Sequence, residues 1–113
     1  MGDTEEVAPM FDLPILRMSS LMLRHAAKTQ ETVASNIARA DVPGATRHRV
    51  ADFADAYVRM SRGETLKAQE TAASIDLEQE LLDLTSAAGR RDTGAGIWKS
   101  TLTMLRMAMA APR

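Results

Sequence analysis

The chain has 113 residues, enough for one small core but not two, with no cysteine and a formal net charge of −1. Those values exclude a disulfide framework, a thiolate nucleophile and a cysteine metal site, and they leave no overall field to favour nucleic acid or an anionic membrane. Aromatic residues make up 4% of the chain, while alanine, leucine, methionine, glutamate and arginine are plentiful, so an all-α fold is predicted.

Residues 1–10 read as a polar, flexible arm, and residues 11–113 as a single helical domain. The segment from Met1 to Pro9 is acidic and lacks the basic start and apolar stretch of a secretory signal. No segment approaches the roughly 18 apolar residues of a membrane span. On these facts alone the default address is the cytoplasm. Asp12 is placed to cap a first long helix over about 13–40, whose first turn tolerates Pro14 because a first-turn amide has no helical partner. Leu16, Leu23, Ala27, Val33, Ile37 and Ala40 recur at close to helical spacing on one face. The helix runs into Ala34-Ser35-Asn36-Ile37-Ala38-Arg39-Ala40-Asp41-Val42-Pro43-Gly44. Val42 precedes a proline and is biased out of the helical region, and Gly44 can take the positive φ of a tight turn. Asn36 is either a plain polar residue in the last turns or a side chain that bonds backbone near Pro43 and fixes where the chain leaves the helix.

A turn and short helix follow over 41–62. Phe53, Tyr57 and Met60 lie at i, i+4 and i+7, and Ser61-Arg62-Gly63 closes the segment. Residues 63–75 read as a polar loop. Asp76 and Gln79 make a capping-box pair that opens a second long helix over 77–109. Its apolar stripe alternates spacings of four and three: Leu77, Leu81, Leu84, Ala88, Arg91, Ala95, Trp98, Leu102, Leu105 and Met109, with Arg91 the one break. Gly89, Gly94 and Gly96 weaken it by roughly 0.8–1 kcal/mol each relative to alanine. The two long helices are therefore expected to pair as an antiparallel coiled-coil hairpin around a short irregular middle. Such a hairpin is marginal alone, so much of its stability is expected from neighbouring subunits. The 8 methionines suit irregular partner surfaces.

Sites of chemistry are few. His25-Ala26-Ala27-Lys28 resembles the His-x-x-Lys of histidine phosphotransfer domains, where an exposed imidazole accepts a phosphoryl group. Here Thr29 follows instead of glycine, and the plain reading is a solvated helix position. Asp76, Glu78, Glu80 and Asp83 suit a helix N-terminus through its dipole better than a metal or acid/base site, since no histidine accompanies them. Arg90-Arg91-Asp92 and Arg106 read as solvated or interfacial charges, and Trp98 as an anchor in the seam or in a partner's groove. No catalytic, cofactor or metal residue is assigned, and a non-enzyme is expected.

The run around Asn36 resembles the N-terminal signature of the flagellar axial proteins, the rod and hook family. Ser35, Asn36, Ile37, Ala38, Ala40, Asp41, Pro43 and Gly44 stand at the family's positions, and Asp52-Phe53 resembles the Asp-Phe that follows. Arg39, Val42 and Ala45 depart from the pattern and bear on the contacts of the turn. At the other end, Asp76 to Leu82 and Ser100 to Met109 resemble the family's closing stretch. The resemblance implies a structural subunit of the proximal rod of the basal body. Such a subunit is exported without a cleaved signal through the type III apparatus to a structure crossing the periplasm, and it assembles helically around the export channel. Other copies of the chain, other rod proteins and the membrane-ring and adaptor proteins would be its partners, with no nucleic acid and no small-molecule substrate. Phe11 and Ile15 fit the loose Phe-x-x-x-aliphatic pattern that resembles the export signal of early flagellar substrates; a hydrophobic contact at the start of the first helix explains them equally.

Overall fold

A computed structural model describes residues 13–110; the proposed arm, Phe11 and the cap expected at Asp12 lie outside the described residues. Along the chain, α1 (Pro14–Ala38), β1 (Thr46–Arg49), α2 (Phe53–Ser61), β2 (Gln69–Ser74) and α3 (Leu77–Ala110) follow one another. Helix α1 starts on Pro14, with extended Leu13 in the cap position and no side-chain cap bond. It carries no glycine over its 25 residues and holds its helical bonds to the end. Helix α3 runs unbroken for 34 residues, about 50 Å at 1.5 Å per residue, despite its three glycines.

The two long helices pack antiparallel into a body of 66 × 27 × 19 Å. Gly94 lies against Ser19 and Met22 near one end, and Glu80 bonds Asn36 near the other. The buried positions of α3 are Glu80, Ala87, Gly94 and Thr101, one every seventh residue. Opposite them α1 buries Leu16, Ser19, Ala26 and Val33, with His25, Thr32 and Asn36 alongside. On the α3 side the contact line is thus made of small and polar side chains, which lets two helix backbones approach closely.

That line corrects the expected seam. Leu84, Ala88, Leu102 and Leu105 are half-buried at its flank, whereas Leu77, Leu81, Arg91, Ala95, Trp98 and Met109 are exposed. On α1 the expected face is also displaced: Leu16 and Val33 are buried, but Ala27 and Ile37 are exposed. The apolar stripe of α3 is centred roughly 70° round the helix from the line that meets α1. Close approach at Gly94 and the polar bonds of Glu80 choose the contact, rather than the bulk of the leucines.

The fold is mainly helical but not all-α. Strands β1 and β2 form an antiparallel pair, with His48 opposite Glu70, Arg49 opposite Gln69 and Thr46 opposite Ser74, and a bulge between Thr46 and His48. The polar loop expected over 63–75 therefore contains a strand. Its residues, Gln-Glu-Thr-Ala-Ala-Ser, are almost all exposed and carry no apolar alternation that would mark it. The Thr71 hydroxyl donates to the Arg47 carbonyl across the pair.

Two turns set the path. Ala45 N–H donates to the Val42 carbonyl at 3.1 Å, and Gly44 has φ +77°, so Val42-Pro43-Gly44-Ala45 has the proline and glycine placement of a type II turn. Helix α2 ends in a Schellman arrangement: Gly63, at φ +85°, donates to the Met60 carbonyl and Glu64 to that of Arg59. The α2 side chains expected inward, Phe53, Tyr57 and Met60, are half-buried, and Ala56 is fully buried beneath them. At the head of α3, the Asp76 carboxylate accepts from the Glu78 amide at 3.0 Å. Gln79 does not complete the expected capping box but donates to Asp83 one turn on at 2.9 Å.

Candidate functional site

Of the motif residues Ser35 to Gly44 that carry the resemblance at the turn, Asn36 is the one the fold buries, with no solvent exposure at all. Its side-chain amide pairs with the backbone of β1 as a strand residue would. The carbonyl Oδ1 accepts from the His48 N–H at 2.9 Å, and Nδ2 donates to the His48 carbonyl at 2.8 Å. The same Nδ2 donates to both Glu80 oxygens, at 2.8 and 3.1 Å. One side chain in the last turns of α1 thereby holds the returning strand and the start of α3. Ser35, Ile37, Ala38, Asp41, Pro43 and Gly44 are exposed around this junction, and Ala40 is half-buried.

The junction is charged as well as polar. Glu80 is fully buried, and Arg47 on β1 meets it through Nε at 3.1 Å while its Nη2 reaches Asp83. Burial works against the charge on Arg47, but the bonds to Glu80 and Asp83 outweigh it and raise the guanidinium above its ordinary value. Arg39, where the family carries asparagine, folds back so that Nη2 donates to Asn36 Oδ1 at 2.7 Å and Nη1 to the Thr46 carbonyl at 2.9 Å. Its Nε is buried without a hydrogen-bond partner among the described residues. The acids expected to serve only the dipole of α3 divide accordingly: Asp76 caps, and Glu80 and Asp83 neutralise Arg47. Among the described residues no group of three or more histidine, aspartate or glutamate side chains is arranged to hold a metal ion.

His25 is neither solvated nor exposed, as the two readings of its motif required, but 3% accessible. Its Nε2 lies 2.7 Å from the Ala51 carbonyl oxygen, so that nitrogen carries the proton. Nδ1 faces Arg90 Nη1 at 3.2 Å and accepts from it. Phe53 packs edge-on against the ring, with centroids 5.4 Å apart. Burial lowers the His25 pKa, the bond to Ala51 raises it, Arg90 lowers it and Asp52 raises it; the net shift is downward from 6.5. Both ring nitrogens are engaged, which removes the free imidazole that phosphoryl acceptance needs.

The second feature is a set of large apolar side chains left exposed. Leu77, Leu81 and Leu82 stand out from the first turns of α3, and Met104, Met107 and Met109 from its last ones, each more than half exposed. Trp98 lies between them at 37% exposure, and Ile15 and Ile37 are exposed on α1. A single exposed leucine is ordinary, but groups at both ends of one long helix make a surface that water covers poorly. Sequence reasoning placed Leu77, Leu81, Trp98 and Met109 in a seam; all four are exposed. Ile15 is exposed, and its proposed companion Phe11 lies outside the described residues.

No family model matches the chain, and no curated protein matches it. Among the described residues, no helix is long and apolar enough to cross a membrane.

Proposed function

We propose that the chain is a non-enzymatic structural subunit of the flagellar axial rod, of the proximal-rod FlgB type, in which copies and sister rod proteins pack helically around the export channel. The observation that carries the reading is the set of exposed leucines and methionines near both ends of α3, on a helix whose line of Glu80, Ala87, Gly94 and Thr101 is already closed against α1. A hairpin closed in this way can offer the exposed leucines and methionines to neighbours without opening its own contact. The motif residues add support, because Asn36 stands at the junction where the chain leaves α1. On this reading the α1–α3 pair is the antiparallel coiled coil of the rod wall. Torsional load would be spread over many helix contacts between subunits, including those to the membrane-ring and adaptor proteins below. Export without a cleaved signal, and residence in the periplasm-spanning basal body, belong to the same proposal.

The test uses Leu81→Asp and Met107→Asp, which replace exposed side chains and leave the α1 contact untouched. Leu102 and Leu105 are unsuitable because they are half-buried. In motile host cells the variants are expected to be made and exported while basal bodies and flagella fail to form. Normal motility with both variants would overturn the rod assignment.

A further inference from the structure

Beside the junction lies a cleft of about 350 Å³, walled by α1, by β1 with its following loop, and by α3. Thr29 and Thr32 line it from α1, and Ser86 and Arg90, one turn apart, from α3. The basic side chains around it differ in one respect. Arg47 is paired with Glu80 and Asp83, and Arg49 with Asp52; His48 lies 3.9 Å from Glu70. Half-buried Arg90 bonds only the neutral ring of His25 among the described residues and has no carboxylate. A guanidinium presents five donors in a planar fork suited to a carboxylate or phosphate, and desolvating it without a counter-charge is costly. The Ser86 hydroxyl, on the same wall, makes no hydrogen bond among the described residues and supplies a further donor.

We propose that this cleft is an oxyanion site, in which Arg90 and Ser86 receive one carboxylate or phosphate group. The site holds whether the chain is a rod subunit or not. The group can be an acidic side chain of a partner or a free small anion; both present the same oxygens. An anion here has a second consequence. The cleft's charged and titratable groups are Arg90 and Asp83 on α3, Arg47, His48 and Arg49 on β1, Asp52 in the loop, and His25 on α1. A bound anion would offset the repulsion that Arg90 exerts on a protonated His25, so anion and proton bind with positive coupling.

The experiment follows the ring nitrogens of His25 by NMR in the full chain, with His48→Gln to assign the second histidine. The pH is varied at fixed ionic strength while sulfate replaces chloride, because sulfate keeps its charge across the range. A second arm uses a blocked glutamate peptide as a tethered carboxylate. At saturation the His25 pKa is expected to rise by roughly half a unit, equivalent to about threefold tighter anion binding to the protonated form. Arg90→Gln should abolish the rise and Arg90→Lys should keep part of it. A response to the peptide as well as sulfate supports an acidic side chain as the natural occupant; a response to sulfate alone supports a free anion. No change in the wild-type chain with either probe, or an equal change in Arg90→Gln, overturns the site.

Discussion

Gly94 on α3 touches the backbone of α1 at Ser19: a Cβ placed on it would stand 3.2 Å from the Ser19 carbonyl oxygen and 3.1 Å from Met22 Cβ. The residue that looks like a flaw in a helix interior is the one that lets the two helices close. Gly89 and Gly96 have no atom within 4 Å of the same construction and play no such part. Alanine at Gly89 or Gly96 is therefore expected to stabilise the fold by about 0.4–1 kcal/mol each, from helix propensity and reduced unfolded-state freedom. Gly94→Leu should destabilise by about 1–3 kcal/mol through overpacking against Ser19 and Met22. Urea denaturation of the three variants ranks them directly, and equal midpoints for all three would mean that α1 and α3 do not meet at Gly94.

Asn36 makes its bonds to His48, Glu80 and Arg39 from a position without solvent access. Asn36→Ala would leave the His48 amide and carbonyl without their partner and Glu80 with only Arg47. The expected loss is about 3 kcal/mol, since each buried polar group left unsatisfied costs about 1–3 kcal/mol. Asn36→Asp retains an acceptor for His48 but sets a second carboxylate against Glu80, so it should cost more than alanine. Native-state hydrogen exchange supplies the local readout: the His48 amide should lose protection in both variants by more than amides in the middle of α1. Unchanged protection at His48 would show that the side chain does not hold the strand.

These two sites show what the sequence could and could not disclose. The long helices, the short helix over Phe53–Ser61 and the Pro43-Gly44 turn were legible because each has a local cause: helical apolar spacing, a capping residue, a glycine at positive φ. For Asn36 the sequence left two readings open; the bonds to His48 fit the one in which its side chain bonds backbone near the turn, whereas its partner Glu80 was hidden, because that contact joins residues 44 apart in sequence. The strands were hidden for a related reason: β1 is held by Asn36 and β2 by β1, so neither needs an apolar pattern of its own. The rotation of the α3 contact was hidden too, since hydrophobic spacing rewards the leucines while the packing rewards Ala87 and Gly94, where there is least side chain.

His25 gives the fold a pH dependence whose sign follows from its surroundings. Its pKa is lowered from 6.5 in the folded chain, first by burial. Above about pH 6.5 the ring is neutral folded and unfolded, and it contributes no slope. As pH falls below that value the unfolded chain takes up a proton that the folded chain resists, so stability decreases until the lowered folded pKa is reached. The slope from this one group cannot exceed about 1.4 kcal/mol per pH unit. His25→Gln keeps a donor for the Ala51 carbonyl but does not titrate. Urea unfolding at pH 7.5 and 5.5 should therefore show a larger loss on acidification for the wild-type chain than for the variant. A variant with the same loss would place the acid sensitivity elsewhere, and a smaller loss in the wild-type chain would mean that the bond to Ala51 outweighs burial and raises the pKa. Because protonated Nδ1 would point a second cation at Arg90, the acid form should also weaken the contact between α1 and α3. The amide of Ala51 and the backbone around Arg90 are where faster hydrogen exchange should first appear.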